Sequence, residues 1–177
     1  EHGVTPSPKM AGLMAAAILS DTVMFKSPTC TKKDIAMAER LARIARISLK
    51  DLGRELFSST SDGKSAEELL GTDYKEFHIS GQTIGVGQIT CVDSSKLVER
   101  RDEFIAAMEK VKQNSNCDLV ILMITDVLLD GSHIFYVGSD DVMQEAFSTV
   151  PKDKHMFLPK VMSRKKQVIP MLTTLWG

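Results

Sequence analysis

The residues best suited to chemistry lie near the end of the chain, in Ser163–Arg164–Lys165–Lys166–Gln167. Pro170 has no backbone N–H and belongs in the first turn of a helix, so that helix starts no earlier than Lys166. Arg164 and Lys165 then stand just before a helix N-terminus. Free N–H groups, the positive end of the helix dipole and two cations converge there. A phosphate-rich anion suits this arrangement, because Arg offers a bidentate fork and Lys a point charge. A solvated basic helix start has the same residues, and the pentapeptide alone does not separate the two. A second candidate is Asp21, in Ser20–Asp21–Thr22 at the end of an apolar helix. A carboxylate at the negative end of a helix dipole calls for a cation, a metal, a hydrogen-bond network or open solvent. A third is Lys75, in Asp73–Tyr74–Lys75–Glu76–Phe77, which follows a turn and projects either into a cleft or into water. His2, His78, His133 and His155 stand at no metal-ligand spacing.

The elements that must position these residues can be read from caps and periodicity. Ser7–Pro8 opens a helix that ends near Asp21, with Met10, Leu13, Met14, Ala17 and Ile18 on one apolar face. Thr31 with Asp34 forms a capping box for a second helix, whose stripe is Ile35, Ala38, Leu41, Ala42 and Ala45. Ser48 caps a third, with Leu49, Leu52, Leu56 and Phe57 inward. Residues 58–64 (SSTSDGK) are polar and read as a linker. Ser65 with Glu68 makes another capping box. Strands follow at 74–80 and 83–92, joined near Gly81–Gln82; the second carries Gly85 and Gly87 in a period-two run. Ser94 is expected to cap one long helix to about Lys112. Leu119 to Thr125 is a continuous apolar run and reads as a buried strand. Asp130–Gly131 is a turn before a strand at 133–137. Asp140 is expected to cap a short helix to Phe147, and a last helix covers 167–175. The fold class is therefore α/β: a mixed β-sheet flanked by helices, preceded by a helical segment.

Composition narrows the function. Lys+Arg 22 against Asp+Glu 23 gives a net charge of −1, which argues against a nucleic-acid binder. The average conceals an acidic body, with seventeen acidic and seven basic residues over 55–150. The cationic end has six basic residues and one acidic from Pro151 onward. No apolar run approaches the ~20 residues needed to cross a bilayer. Cys30, Cys91 and Cys117 include no CxxC pair, which fits neither a zinc knuckle nor a disulfide framework and suits a reducing cytoplasm. The chain begins at Glu1 rather than Met. With a boundary near residue 60, its first segment is expected to finish something that began upstream.

Three stretches in order, AAILSDTVMFKSPTCT (16–31), DYKEF with IGVGQITCVD (73–93) and SRKKQ (163–167), resemble one family. It is the C-terminal part of the family II, manganese-dependent inorganic pyrophosphatases of the DHH phosphoesterase superfamily. The resemblance implies that 1–57 is the tail of a DHH catalytic domain, 58–64 a linker, and 65–177 the DHH-associated substrate-binding domain. It implies that Asp21 is a metal ligand and that Lys75, Arg164 and Lys165 grip pyrophosphate. The cofactor implied is Mn2+, with Mg2+ or Co2+ in its place, held in a complete enzyme that hydrolyses diphosphate to two phosphates. The Asp-His-His motif of that superfamily is absent here, so this chain alone is expected to hold no metal pair and to be inactive. The missing DHH domain is an expected partner, and the parent is expected to be a homodimer. Two other readings stand beside this one: a short-chain polyphosphatase of the same superfamily, and a non-catalytic phosphate-binding or regulatory module.

Overall fold

A computed structural model describes residues 4–58 and 63–176. His2 and residues 59–62 of the expected linker lie outside the described residues. The chain divides into two compact units, 1–59 and 60–177.

The first unit is helical: α1 (Pro8–Asp21), α2 (Lys32–Ala45) and α3 (Leu49–Ser58). Ser7 caps α1 by accepting from Met10 N. The capping box of α2 is present, with Thr31 N donating to Asp34 Oδ2 at 2.8 Å and Thr31 Oγ1 accepting from Asp34 N at 3.3 Å. The Thr31 hydroxyl, which also donates to Asp34 Oδ2 at 2.7 Å, and the Thr31 N–H hold the Asp34 carboxyl below its ordinary pKa. The buried face of α1 differs from the expected one. Ala11, Ala15 and Leu19 are buried, while Met10, Leu13 and Met14 are exposed at 53%, 60% and 43%. Small side chains let α1 pack closely on Leu41 of α2, and that close approach decides which face turns inward.

The second unit is a five-stranded sheet in the order β1-β2-β3-β4-β5. It contains α4 (Ala66–Thr72), β1 (Tyr74–Ile79), β2 (Gln82–Cys91), α5 (Ser95–Glu99), α6 (Arg101–Ser115), β3 (Leu119–Asp126), β4 (Gly131–Val137), α7 (Asp140–Phe147), β5 (His155–Pro159) and α8 (Ile169–Trp176). The β1–β2 hairpin turns at Ser80 (φ 48°) and Gly81 (φ 83°), one residue earlier than expected. Strand β2 runs parallel to β3, and α5 and α6 form the crossover. The other neighbours are antiparallel.

The sheet is mixed and covered on both faces. Val120, Leu122 and Ile124 of β3 pack with Leu70, Phe104 and Met108 of α4 and α6. Leu119, Ile121 and Met123 pack with Met143, Val168 and Leu172 on the other face. Two glycines of β2 admit their neighbours. A Cβ on Gly85 would lie 1.8 Å from Tyr74 Oη, and one on Gly87 would lie 2.8 Å from Leu70 Cδ1.

Three local expectations are corrected. Ser94 makes no cap bond; its N–H and hydroxyl both donate to the buried Asp126 carboxylate, at 2.8 and 2.7 Å. The expected long helix breaks at Arg100 into α5 and α6. Ser139 rather than Asp140 caps α7, accepting from Val142 N. Strand β5 was not expected. It is a short run containing His155 and Phe157, without the long apolar stretch that reveals β3.

Candidate functional site

Between β5 and α8 the chain crosses the sheet, and polar side chains on three strands hold it there. Lys160 N donates to Asp130 O at 2.8 Å. Ser132 Oγ of β4 donates to Val161 O at 2.6 Å. Gln88 Nε2 of β2 donates to Met162 O at 3.3 Å and to Thr125 Oγ1 of β3 at 3.0 Å. Ser132 spends its one hydroxyl hydrogen on Val161 O, so Thr125 must donate to Ser132 Oγ, 3.0 Å away. Thr125 and Ser132 are fully buried, and this directed chain satisfies them. An orphaned buried hydroxyl would cost about 1–3 kcal/mol.

The crossing segment delivers Ser163 to the start of a π-helical turn, Arg164–Val168, which runs on into α8. The wide turn is closed by Val168 N donating to Ser163 O at 3.4 Å and by Ile169 N donating to Arg164 O. Ser163 Oγ accepts from Lys166 N at 3.3 Å. Gln167 reaches back: its Oε1 accepts from Met162 N and Ser163 N at 2.9 and 3.0 Å, and its Nε2 donates to Lys160 O at 2.8 Å. This is a reciprocal cap with one residue more than the usual spacing, which the wider turn requires. Helical structure therefore begins at Arg164, earlier than the position of Pro170 implied. Arg164 and Lys165 sit inside the first turn rather than before it.

Their side chains diverge. Lys165 is exposed, while Arg164 is buried at 5% exposure. Arg164 Nη1 donates to Asp73 O at 2.7 Å and to Val86 O at 2.9 Å, and Nη2 donates to Asp73 Oδ1 at 2.8 Å. Lys75 lies opposite Val86 in the β1–β2 register, and its Nζ is 3.8 Å from Asp73 Oδ1. The fold thus gathers Arg164 and Lys75 on one carboxylate, with Lys165 next along the turn.

Asp21 belongs to the first unit. It is exposed at the last residue of α1. The segment after it is unusual: Val23, Met24 and Phe25 have φ of 49°, 51° and 68°. Three consecutive left-handed residues cost roughly 1–2 kcal/mol each. Thr22 anchors this turn, donating from Oγ1 to Ile18 O at 2.6 Å and accepting from Phe25 N at 3.2 Å.

Other reactive groups are quiet. Burial and the nearby Asp126 carboxylate push the Cys91 thiol up to about 12. Burial likewise raises the Tyr74 hydroxyl, which lies 3.6 Å from Cys117 Sγ. His133 and His155, each held below the ordinary histidine range by burial, share a 2.9 Å Nδ1–Nε2 hydrogen bond across β4 and β5. Sequence reasoning missed Asp73, Gln88 and Gln167. The available signals were the Asp two residues before Lys75, the polar Gln88 in an apolar strand, and the Ser-to-Gln spacing of 163 and 167.

Residues 54–175 match the DHHA2 domain family. A manganese-dependent inorganic pyrophosphatase of Methanothrix thermoacetophila is 43% identical over 97% of this chain and 57% of its own length. A cobalt-dependent inorganic pyrophosphatase of Clostridium perfringens is 39% identical over 99% of this chain and 32% of its own length. A crystal structure of a Methanococcus jannaschii protein assigned to the family II inorganic pyrophosphatases superposes with a TM-score of 0.85, at 36% identity, over 98% of this chain and 57% of that one. The chain thus spans 57% or less of the length of these relatives.

Proposed function

The chain belongs to the DHHA2 domain family, and from that premise we propose that its second unit is the diphosphate-binding part of an inorganic pyrophosphatase. The whole protein hydrolyses diphosphate to two phosphates. Lys75, Arg164 and Lys165 hold the phosphoryl oxygens, and Asp21 contributes one ligand to a divalent metal site. The observation that carries this reading is the gathering of Arg164 and Lys75 on Asp73, beside Lys165. Fixed cations aimed at phosphoryl oxygens stabilise the charge of phosphoryl transfer.

The described residues do not by themselves fit a metal pair. Among them no three His, Cys, Asp or Glu side chains gather in a ligating group, and Asp21 is a single carboxylate. The other ligands for Mn2+ or Co2+ belong, on this reading, to the part of the relatives that this chain does not span. This chain's own residues bind and orient the anion. A cytoplasmic protein fits the three free cysteines. Among the described residues no helix is long and apolar enough to cross a membrane. A homodimeric parent and the absence of a nucleic-acid partner complete the reading.

Calorimetric titration of the purified chain with inorganic pyrophosphate, with and without Mn2+, tests it. Binding without metal is expected, together with a loss of roughly tenfold or more in affinity for Lys75→Ala and for Lys165→Ala. Binding unchanged in both variants would reject the assigned grip.

A further inference from the structure

Asp73 stands between two of the three proposed anion ligands. Its carbonyl accepts from Gln88 N at 3.1 Å as well as from Arg164 Nη1 at 2.7 Å. Its Oδ1 accepts from Arg164 Nη2 at 2.8 Å and lies 3.8 Å from Lys75 Nζ. One residue therefore holds the end of the guanidinium with main chain and side chain together. Val86 O takes the other Nη1 hydrogen. The donors left over are Nε–H and the outer Nη2–H. These lie side by side along one edge of the planar group, which is the edge suited to a two-pronged bond with phosphoryl oxygens.

Charge alone makes a carboxylate here unfavourable, since like charges repel and the anion to be bound is negative. We propose that Asp73 is a positioning residue: it turns the side edge of Arg164 outward and holds Lys75 beside it, setting the spacing of two cations before the anion arrives. Ordering the ligands in advance removes a cost that would otherwise fall on binding. Asp73 touches no substrate. The inference rests on the anion-binding reading above.

The two effects of Asp73 have opposite signs, which makes the test decisive. Inorganic pyrophosphate is titrated into the wild-type chain, Asp73→Ala and Asp73→Asn, with circular dichroism and unfolding midpoints as folding controls. Positioning predicts weaker binding by Asp73→Ala, on the order of tenfold. Asp73→Asn keeps an acceptor for Nη2 and should recover part of the loss. Tighter or unchanged binding in the folded variants would overturn the proposal. If Asp73→Ala does not fold, the sign of the change in Asp73→Asn decides alone. A second readout needs no ligand: hydrogen exchange at Arg164 Nε–H, followed by NMR, should quicken in Asp73→Asn. An unchanged rate overturns the positioning role even if wild type binds pyrophosphate. Failure of the wild-type chain to bind pyrophosphate instead removes the anion-binding reading, and with it the purpose assigned to Asp73.

Discussion

Adjacent cations of one motif have unlike roles in the fold. Arg164 is 5% exposed with three hydrogen bonds to Asp73 and Val86; Lys165, the next residue, is exposed. Truncating Arg164 removes a buried charged donor from two main-chain carbonyls and from the Asp73 carboxylate at once. Arg164→Ala should therefore destabilise the fold by about 1–3 kcal/mol. Lys165→Ala should stay within about 0.5 kcal/mol of wild type, because it breaks no buried contact. Urea unfolding midpoints check this, and equal midpoints for the two variants would contradict the division of labour. Residue types were legible in the sequence: a fork-shaped cation stands beside a point charge, a pair that suits an oxyanion and equally a solvated helix start. The division between them was not. It depends on Asp73, 91 residues earlier, and nothing in the spacing of either motif shows that they meet.

Elements declared by their own local chemistry were the legible ones. Thr31/Asp34 and Ser65/Glu68 mark helix starts because each cap is closed within four residues. Ser94 has the same cap chemistry, yet it is drawn to Asp126 across the β2–β3 pair, and a bond that distant in sequence cannot be anticipated. Strand β5 was hidden for a related reason. Its register against β4 is fixed partly by His133 and His155, whose rings stack at 5.1 Å and share a hydrogen bond. Only a neutral acceptor nitrogen can complete that bond in its present form, and burial lowers both pKa values, with Arg101 adding to the effect on His155 and Asp126 opposing it on His133. A base whose folded pKa lies below its unfolded value stabilises the fold above the unfolded value, near 6.5. That stability is lost as pH falls toward the folded value. The unfolding temperature should thus drop between about pH 7 and about pH 5, and His155→Phe should flatten this drop. A slope unchanged by His155→Phe would remove the pair from the account of acid sensitivity.

Across the whole molecule, the two units differ in how much apolar surface each can bury. The second has two extensive cores, one on each face of the sheet, with Phe104, Met108, Phe135, Ile121 and Tyr136 fully enclosed. The first buries mostly alanines (Ala11, Ala15, Ala38 and Ala42), with Leu19, Leu41 and Phe57 the larger enclosed side chains among the described residues, and it carries a turn of three left-handed residues next to Asp21. An alanine buries little, at about 25 cal/mol per Å², so the helical unit gains less from its core while bearing that strain. Charge pattern and element order made the change of character near residue 60 legible; the small core did not show, because an apolar stripe of Met and Leu on α1 suggested a larger one. Regions with few buried apolar contacts open locally at lower free energy. Amides of Leu19 and Leu41 should therefore exchange with solvent at least about tenfold faster than those of Ile121 and Met123, measured on the isolated chain by hydrogen–deuterium exchange. Addition of inorganic pyrophosphate should slow exchange in the second unit around Asp73, Val86 and Arg164 and leave α1 and α2 unmoved, since the proposed anion ligands Lys75, Arg164 and Lys165 all belong to the second unit. Protection appearing equally in α1 would contradict the assignment of the anion grip to Lys75, Arg164 and Lys165.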